Sequence, residues 1–123
     1  MRKQYHSRMI EGRLFIWDVH RLIELAKPLA VKTVALSSIH ELDESFWFEG
    51  ESPTCREVAA HAKLIAETDL KYPIILCAEG RVMDGMHRVA RAILDGIPTI
   101  RAVQFVTDPE PDFRNCSPED LPY

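Results

Sequence analysis

No stretch of the 123-residue chain carries the roughly 18 consecutive apolar residues that a membrane-spanning helix needs. The charged opening Met1-Arg2-Lys3-Gln4-Tyr5-His6-Ser7-Arg8 lacks the apolar core of a secretory signal. Cysteine is scarce. Cys55, Cys77 and Cys116 are odd in number and far apart, with no C-x-x-C pair and no histidine at zinc-finger spacing. A disulfide framework is thereby excluded, and reduced thiols in a cytoplasmic protein are the expectation. Positive charge is not in excess either. With 15 Lys and Arg against 19 Asp and Glu, a formal net charge of -4 and a pI near 5.7, no whole-molecule field draws the chain onto nucleic acid, so any polyanion contact must be a local patch. Internal repeats are absent, which excludes solenoids and propellers.

What is present suits one globular domain: 46% hydrophobic and 28% charged residues. Residues 1–17 read as an N-terminal arm or lead-in, irregular up to Arg13. Asp18 stands at an N-cap position before Val19, Leu22, Ile23 and Ala26 at helical spacing, so a helix over 18–27 is expected, stopped by Pro28. Val31 to Leu36 is β-branched and reads as a strand. Ser52-Pro53-Thr54 starts a second helix, whose stripe Cys55, Val58, Ala59, Ala62, Ile65 and Ala66 is expected to face the core, with His61 toward solvent. Ile74 to Ala78 is a continuous apolar run, as in a strand buried on both faces, and Arg81-Val82-Met83 can pair back on it as a hairpin. A helix from Met86 to Asp95, closed by Gly96 and Pro98, places Met86, Val89, Ala90, Ile93 and Leu94 on one side. Thr99 to Val106 completes the sheet. Residues 107–123 are acidic, with Pro109, Pro111, Pro118 and Pro122 crowded together, and form a tail without regular structure, lying along the body or against another subunit.

Two stretches carry chemistry. Between the first strand and the second helix, Glu41, Asp43, Glu44, Glu49 and Glu51 surround Phe46-Trp47-Phe48. Aromatic faces can pack a flat ligand while a carboxylate takes a proton or anchors a metal ion. The plainer alternative is a loop pinned by its aromatics, its acids solvated. The second stretch is Asp84-Gly85-Met86-His87-Arg88, where a strand end feeds a helix start. The first N–H groups of a helix lack intrahelical partners and carry partial positive charge, which suits an anion. His87, Arg88 and Arg91 fall within the first two turns, an unfavourable place for cations unless an anion or an acidic partner sits among them. In the plainer alternative Asp84 caps the helix, Gly85 makes the turn and Arg88 is solvated.

The order strand, acidic loop, helix, strand, turn, D-G-x-H-R, helix, glycine, strand resembles the ParB/sulfiredoxin-like superfamily over residues 31–106. The likeness rests on Val34 to Ile39, on Tyr72 to Leu76 and above all on Val82 to Ala92. It implies a small α/β (α+β) fold, a mixed sheet with flanking helices over residues 18–106, in which the motif binds nucleotide phosphates. By that resemblance Gly85, His87 and Arg88 would contact phosphate, with Asp84 beside them; the cation cluster on the helix adds Arg91 as a further candidate. Glu41, Asp43 or Glu44 would act as base or, with Mg2+, as metal anchor. ParB proteins hydrolyse CTP and act on DNA, sulfiredoxins use ATP to repair a cysteine sulfinic acid, and a free serine kinase uses ADP; the D-G-x-H-R form is similar to the last. Met86 stands where sulfiredoxins carry their reactive cysteine, so that reaction is not expected. Only the tail follows Val106, so DNA partitioning is not expected from this chain alone. The expected ligand is a nucleotide (ATP, ADP or CTP) with Mg2+, used by a phosphotransferase or NTPase. The rival is a non-catalytic module that binds a protein partner. A homodimer is left open, and no membrane contact is expected.

Overall fold

A computed structural model describes residues 4–48, 52–114 and 121. The chain opens with a hairpin rather than an irregular arm. Strands β1 (Tyr5–Ile10) and β2 (Arg13–Asp18) pair antiparallel from Tyr5 opposite Asp18 to Ile10 opposite Arg13. Glu11 (φ 51°) and Gly12 (φ 78°) both take the left-handed conformation that a two-residue turn between twisted strands demands. Helix α1 (Val19–Ala26) follows at once, its start capped by Asp18, whose carboxylate accepts the His20 N–H at 2.9 Å.

Strand β3 (Lys32–Ala35) leads into two 3-10 turns, Leu36–Ser38 and His40–Asp43. Helix α2 (Cys55–Glu67) begins on a capping box: Thr54 Oγ1 accepts the Glu57 N–H, and the Glu57 carboxylate accepts the Thr54 N–H. Strands β4 (Ile74–Leu76) and β5 (Val82–Asp84) form the expected second hairpin. Helix α3 (Met86–Leu94), strand β6 (Thr99–Gln104) and the two-residue strand β7 (Phe113–Arg114) complete the order.

The main sheet runs β3-β6-β4-β5, with β4 and β6 parallel and the other neighbours antiparallel. It is the mixed sheet of an α+β fold. Because side chains alternate across a strand, β4 sends Ile74 and Leu76 to one face and Ile75 to the other, all buried. On the first face they meet Met86, Val89 and Ala92 of α3 together with Leu36 and Ile39; on the second they meet Trp17, Leu22, Ala26 and Phe105. Helices thus cover both faces, and Cys77 is a fully buried thiol of the second layer.

Three expectations need correction. The tail does contain regular structure: β7 pairs with β2, with Phe113 opposite Ile16, and the Pro109 carbonyl accepts the Trp17 indole N–H at 2.8 Å. In α3 the inward residue of the last turn is Ala92, while Ile93 and Leu94 are exposed. The α2 stripe is not core. No α2 residue is buried, Val58 and Leu64 are half exposed, and Cys55 is exposed. Amphipathic spacing marks a face and does not supply a partner for it. Cys116, Glu49 and Glu51 lie outside the described residues.

With so little burial, α2 depends on its cap. Thr54→Ala is expected to destabilise the helix by about 1 kcal/mol, seen as faster amide exchange along Cys55–Glu67 with protection of β4 and β6 unchanged.

Candidate functional site

Asp84 ends β5 opposite Ile75, and Gly85 turns the chain into α3 at φ 105°, with no side chain capping the helix. Glycine is required twice over. A Cβ there would lie in a backbone region that L-residues avoid, and it would sit 2.7 Å from Ile74 Cγ2 and 2.8 Å from Arg88 Nη2. Arg88 folds back beneath the turn, Nη2 donating to Asp84 Oδ2 at 3.1 Å and to the Pro73 carbonyl at 3.4 Å, and both partners of the ion pair are mostly buried. The sequence called for an anion or an acidic partner among His87, Arg88 and Arg91, and for Arg88 an acidic partner is present. Asp84 does not cap the helix, and Arg88 is not solvated; the acid one turn before it is its partner. Arg91 is carried away from the helix start. Its Nε donates to Asp95 at 3.0 Å and its Nη1 to the Ala66 carbonyl at 2.6 Å, tying α3 to the end of α2.

His87 alone of the three cations stands beside the helix start on the α2 side, in company that the sequence did not announce. Its Nε2 lies 2.9 Å from Nδ1 of His61, and the indole of Trp47 stacks on both imidazoles at 4.6 Å between ring centres. Phe48 meets His61 edge-on. Burial, the neighbouring His61 and Arg88 lower the His87 pKa, against a smaller opposite pull from Asp84. His61 was expected in solvent. The half-buried positions of α2 are His61 and Ile65, one turn apart, a spacing that marks the helix face turned toward the body.

Two of the three described acids of the loop, Glu41 and Glu44, are fixed by hydrogen bonds. Glu41 is 2% exposed and its carboxylate accepts the Val82 N–H. Glu44 grips the Arg81 guanidinium with both oxygens, at 2.5 and 3.2 Å, and this bond lowers its pKa. Asp43 is exposed. Among the described residues no hydrogen bond or ion pair joins Glu41, Asp43 or Glu44 to Asp84, Gly85, His87 or Arg88. Likewise no group of three or more His, Cys, Asp or Glu is placed to hold a metal ion.

The chain matches no family model, no curated protein and no solved structure. Its functional reading therefore rests on the residues and their geometry.

Two hollows mark the surface, and the smaller one is lined by residues of the motif. A narrow apolar cleft of about 260 Å³ is lined by Tyr72, Pro73 and Ile75 with Asp84 and Arg88. A wider groove of about 990 Å³ runs along β1, facing Glu41, Glu44, Phe46 and Trp47. In the groove, Arg8 lies over the Trp17 ring, donates to Cys77 Sγ at 3.4 Å and faces Asp108 at 3.9 Å. His6, next to it, has its pKa lowered to about 4, chiefly by burial and then by Arg8 and Arg81.

Gly85→Ala is expected to lower stability by roughly 2 kcal/mol or more, from left-handed strain plus the clash with Ile74, measured by urea unfolding. His6 gives a pH signature. Neutral in the folded state and protonated near pH 6.5 when unfolded, it leaves stability whole above pH 6.5 and erodes it as pH falls toward 4. Over that interval the wild type should lose roughly 2 to 3 kcal/mol more than His6→Gln; equal losses would mean that His6 is not held neutral.

Proposed function

We propose that the chain binds a phosphate-bearing small molecule, a nucleotide first among them, at the start of α3. The observation that carries this reading is a helix that begins on a left-handed glycine with no side-chain cap, so its first-turn N–H groups are left for an anion. His87 adds a donor beside that start. Arg88 adds a guanidinium whose Nε is buried without a partner and whose Nη2 is shared between Asp84 and Pro73. A phosphate here neutralises the partial charge of the helix end while Asp84 holds Arg88 in place. Mg2+ would arrive chelated by the nucleotide's own phosphates. The D-G-x-H-R resemblance leads to the same ligand.

Binding is the core of the proposal, and turnover is a separate matter. The three acids offered as base are committed elsewhere or exposed, which favours a binding site over a phosphotransferase. The rival module has its own support, because Val58, Leu64, Ile93 and Leu94 leave apolar surface on α2 and α3.

Calorimetric titration with ATP, ADP and CTP in Mg2+, and with inorganic phosphate alone, is the test. Saturable binding is expected, weakened about tenfold or more in Arg88→Ala, the scale of a lost charge-assisted hydrogen bond. Arg88→Lys should fall between, since it keeps the charge and loses the fork. Absence of heat with every nucleotide, together with an Arg88→Ala protein indistinguishable from wild type, sinks the reading.

A further inference from the structure

The contact between His61 and His87 is more specific than packing. The two nitrogens are 2.9 Å apart and the ring centres 5.1 Å apart, so both nitrogens lie close to the line joining the rings. That is the geometry of an N–H···N hydrogen bond. A metal ion held by both rings would draw the ring centres closer for the same nitrogen separation. One ring must therefore donate and the other accept, and the position of each proton becomes a property of the pair.

We propose that His61 is the positioning residue of the site: its Nδ1–H donates to Nε2 of His87, which fixes the His87 proton on Nδ1 and holds the ring against Trp47. His87 then meets an anion as a neutral N–H donor of set orientation. The neutral pair holds two protons, one on each Nδ1, and leaves His61 Nε2 bare. When both rings are protonated, two N–H groups face each other, the bond is lost, and the attachment of α2 weakens with it. That attachment is slender: α2 buries no residue, its other half-buried position is Ile65, and among the described residues its other hydrogen bond to α3 is the one from Arg91 to the Ala66 carbonyl.

The charged groups acting on His87 are His61 from α2, Arg88 on its own helix and Asp84 at the end of β5. Glu57, one turn before His61, is committed to the Thr54 cap, and the loop side presents the uncharged rings of Trp47 and Phe48. Among the described residues, no side-chain hydrogen bond to His87 other than that of His61 comes from those faces. That one ring donates to the other rests on the geometry alone; the direction, which leaves His87 an N–H for an anion, and the anion-binding part rest on the phosphate reading above.

The test is long-range proton–nitrogen NMR of the imidazoles in the full chain without ligand, followed by titration with inorganic phosphate and with ADP. A single tautomer at each ring, protonated on Nδ1, is expected in mildly alkaline solution, where imidazoles are neutral. His61→Asn, which keeps a donor close to the Nδ1 position, should retain the His87 tautomer and the wild-type affinity. His61→Phe keeps a ring on Trp47 and removes the donor. It should leave His87 in a mixture of tautomers and bind about tenfold more weakly, the scale of one neutral hydrogen bond. Mixed tautomers in the wild type, or an unchanged His87 signal in His61→Phe, overturn the proposal. Locked tautomers in a protein that binds neither phosphate nor ADP would support the positioning role and overturn the phosphate reading instead.

Discussion

A carboxylate removed from water holds the edge of the main sheet. Val82 lies on β5, the outer strand, and its N–H points away from β4, where an edge would otherwise stand open. Glu41 fills that place. Burying an ionised group costs several kcal/mol unless charged or polar partners offset it. Here the offset comes from the Val82 amide and from Arg81, 3.9 Å away. Because the acid tolerates so little displacement, the 3-10 turn that carries it is fixed, and so is the loop beyond. Glu44 reaches Arg81, and three residues later Trp47 lies across both imidazoles. The aromatic cover of the motif is thus set by a bond made on the far side of the hairpin.

The electrostatics of the motif follow one rule, which is that each arginine near it has an acid within the protein. Arg88 has Asp84, Arg91 has Asp95 and Arg81 has Glu44. Such pairs at i and i+4 add little stability when exposed, but the first is mostly buried and fixes the guanidinium as a rigid part of the turn. The charge left unanswered is the partial charge of the α3 start. The proposed site would discriminate by donor geometry rather than by net charge, in keeping with a chain that is acidic as a whole.

Local rules read much of this fold. The Ile74–Leu76 run, the Asp18 cap, the Thr54 start and the stop at Gly96 are each settled by residues within one turn or one strand, and so were legible. The β1–β2 hairpin was not, because Ile16 and Trp17 are adjacent and both buried, which breaks the two-residue alternation that announces a strand, and because Arg8 and His6 bring polar side chains where apolar residues are expected. The α2 stripe misled for a different reason: its pattern is genuine, and the other helix faces simply leave it uncovered. At the motif, the Asp84–Arg88 pair could have been taken from its spacing of four. The His61–His87 bond spans 26 residues, and no periodicity links two elements at such a distance.

The small sheet has a bearing on the order in which the molecule comes into being. Trp17 is 92 residues from the carbonyl that its indole engages, and β2 receives its third strand from Phe113 and Arg114. During synthesis the hairpin that carries Trp17 is made well before the strand that completes its sheet. The Trp17 ring packs on the second layer of the core, but its indole N–H has its carbonyl only once the distant segment exists. The Pro-rich stretch, which looks dispensable by composition, is the latch on one of the earliest pieces of the chain.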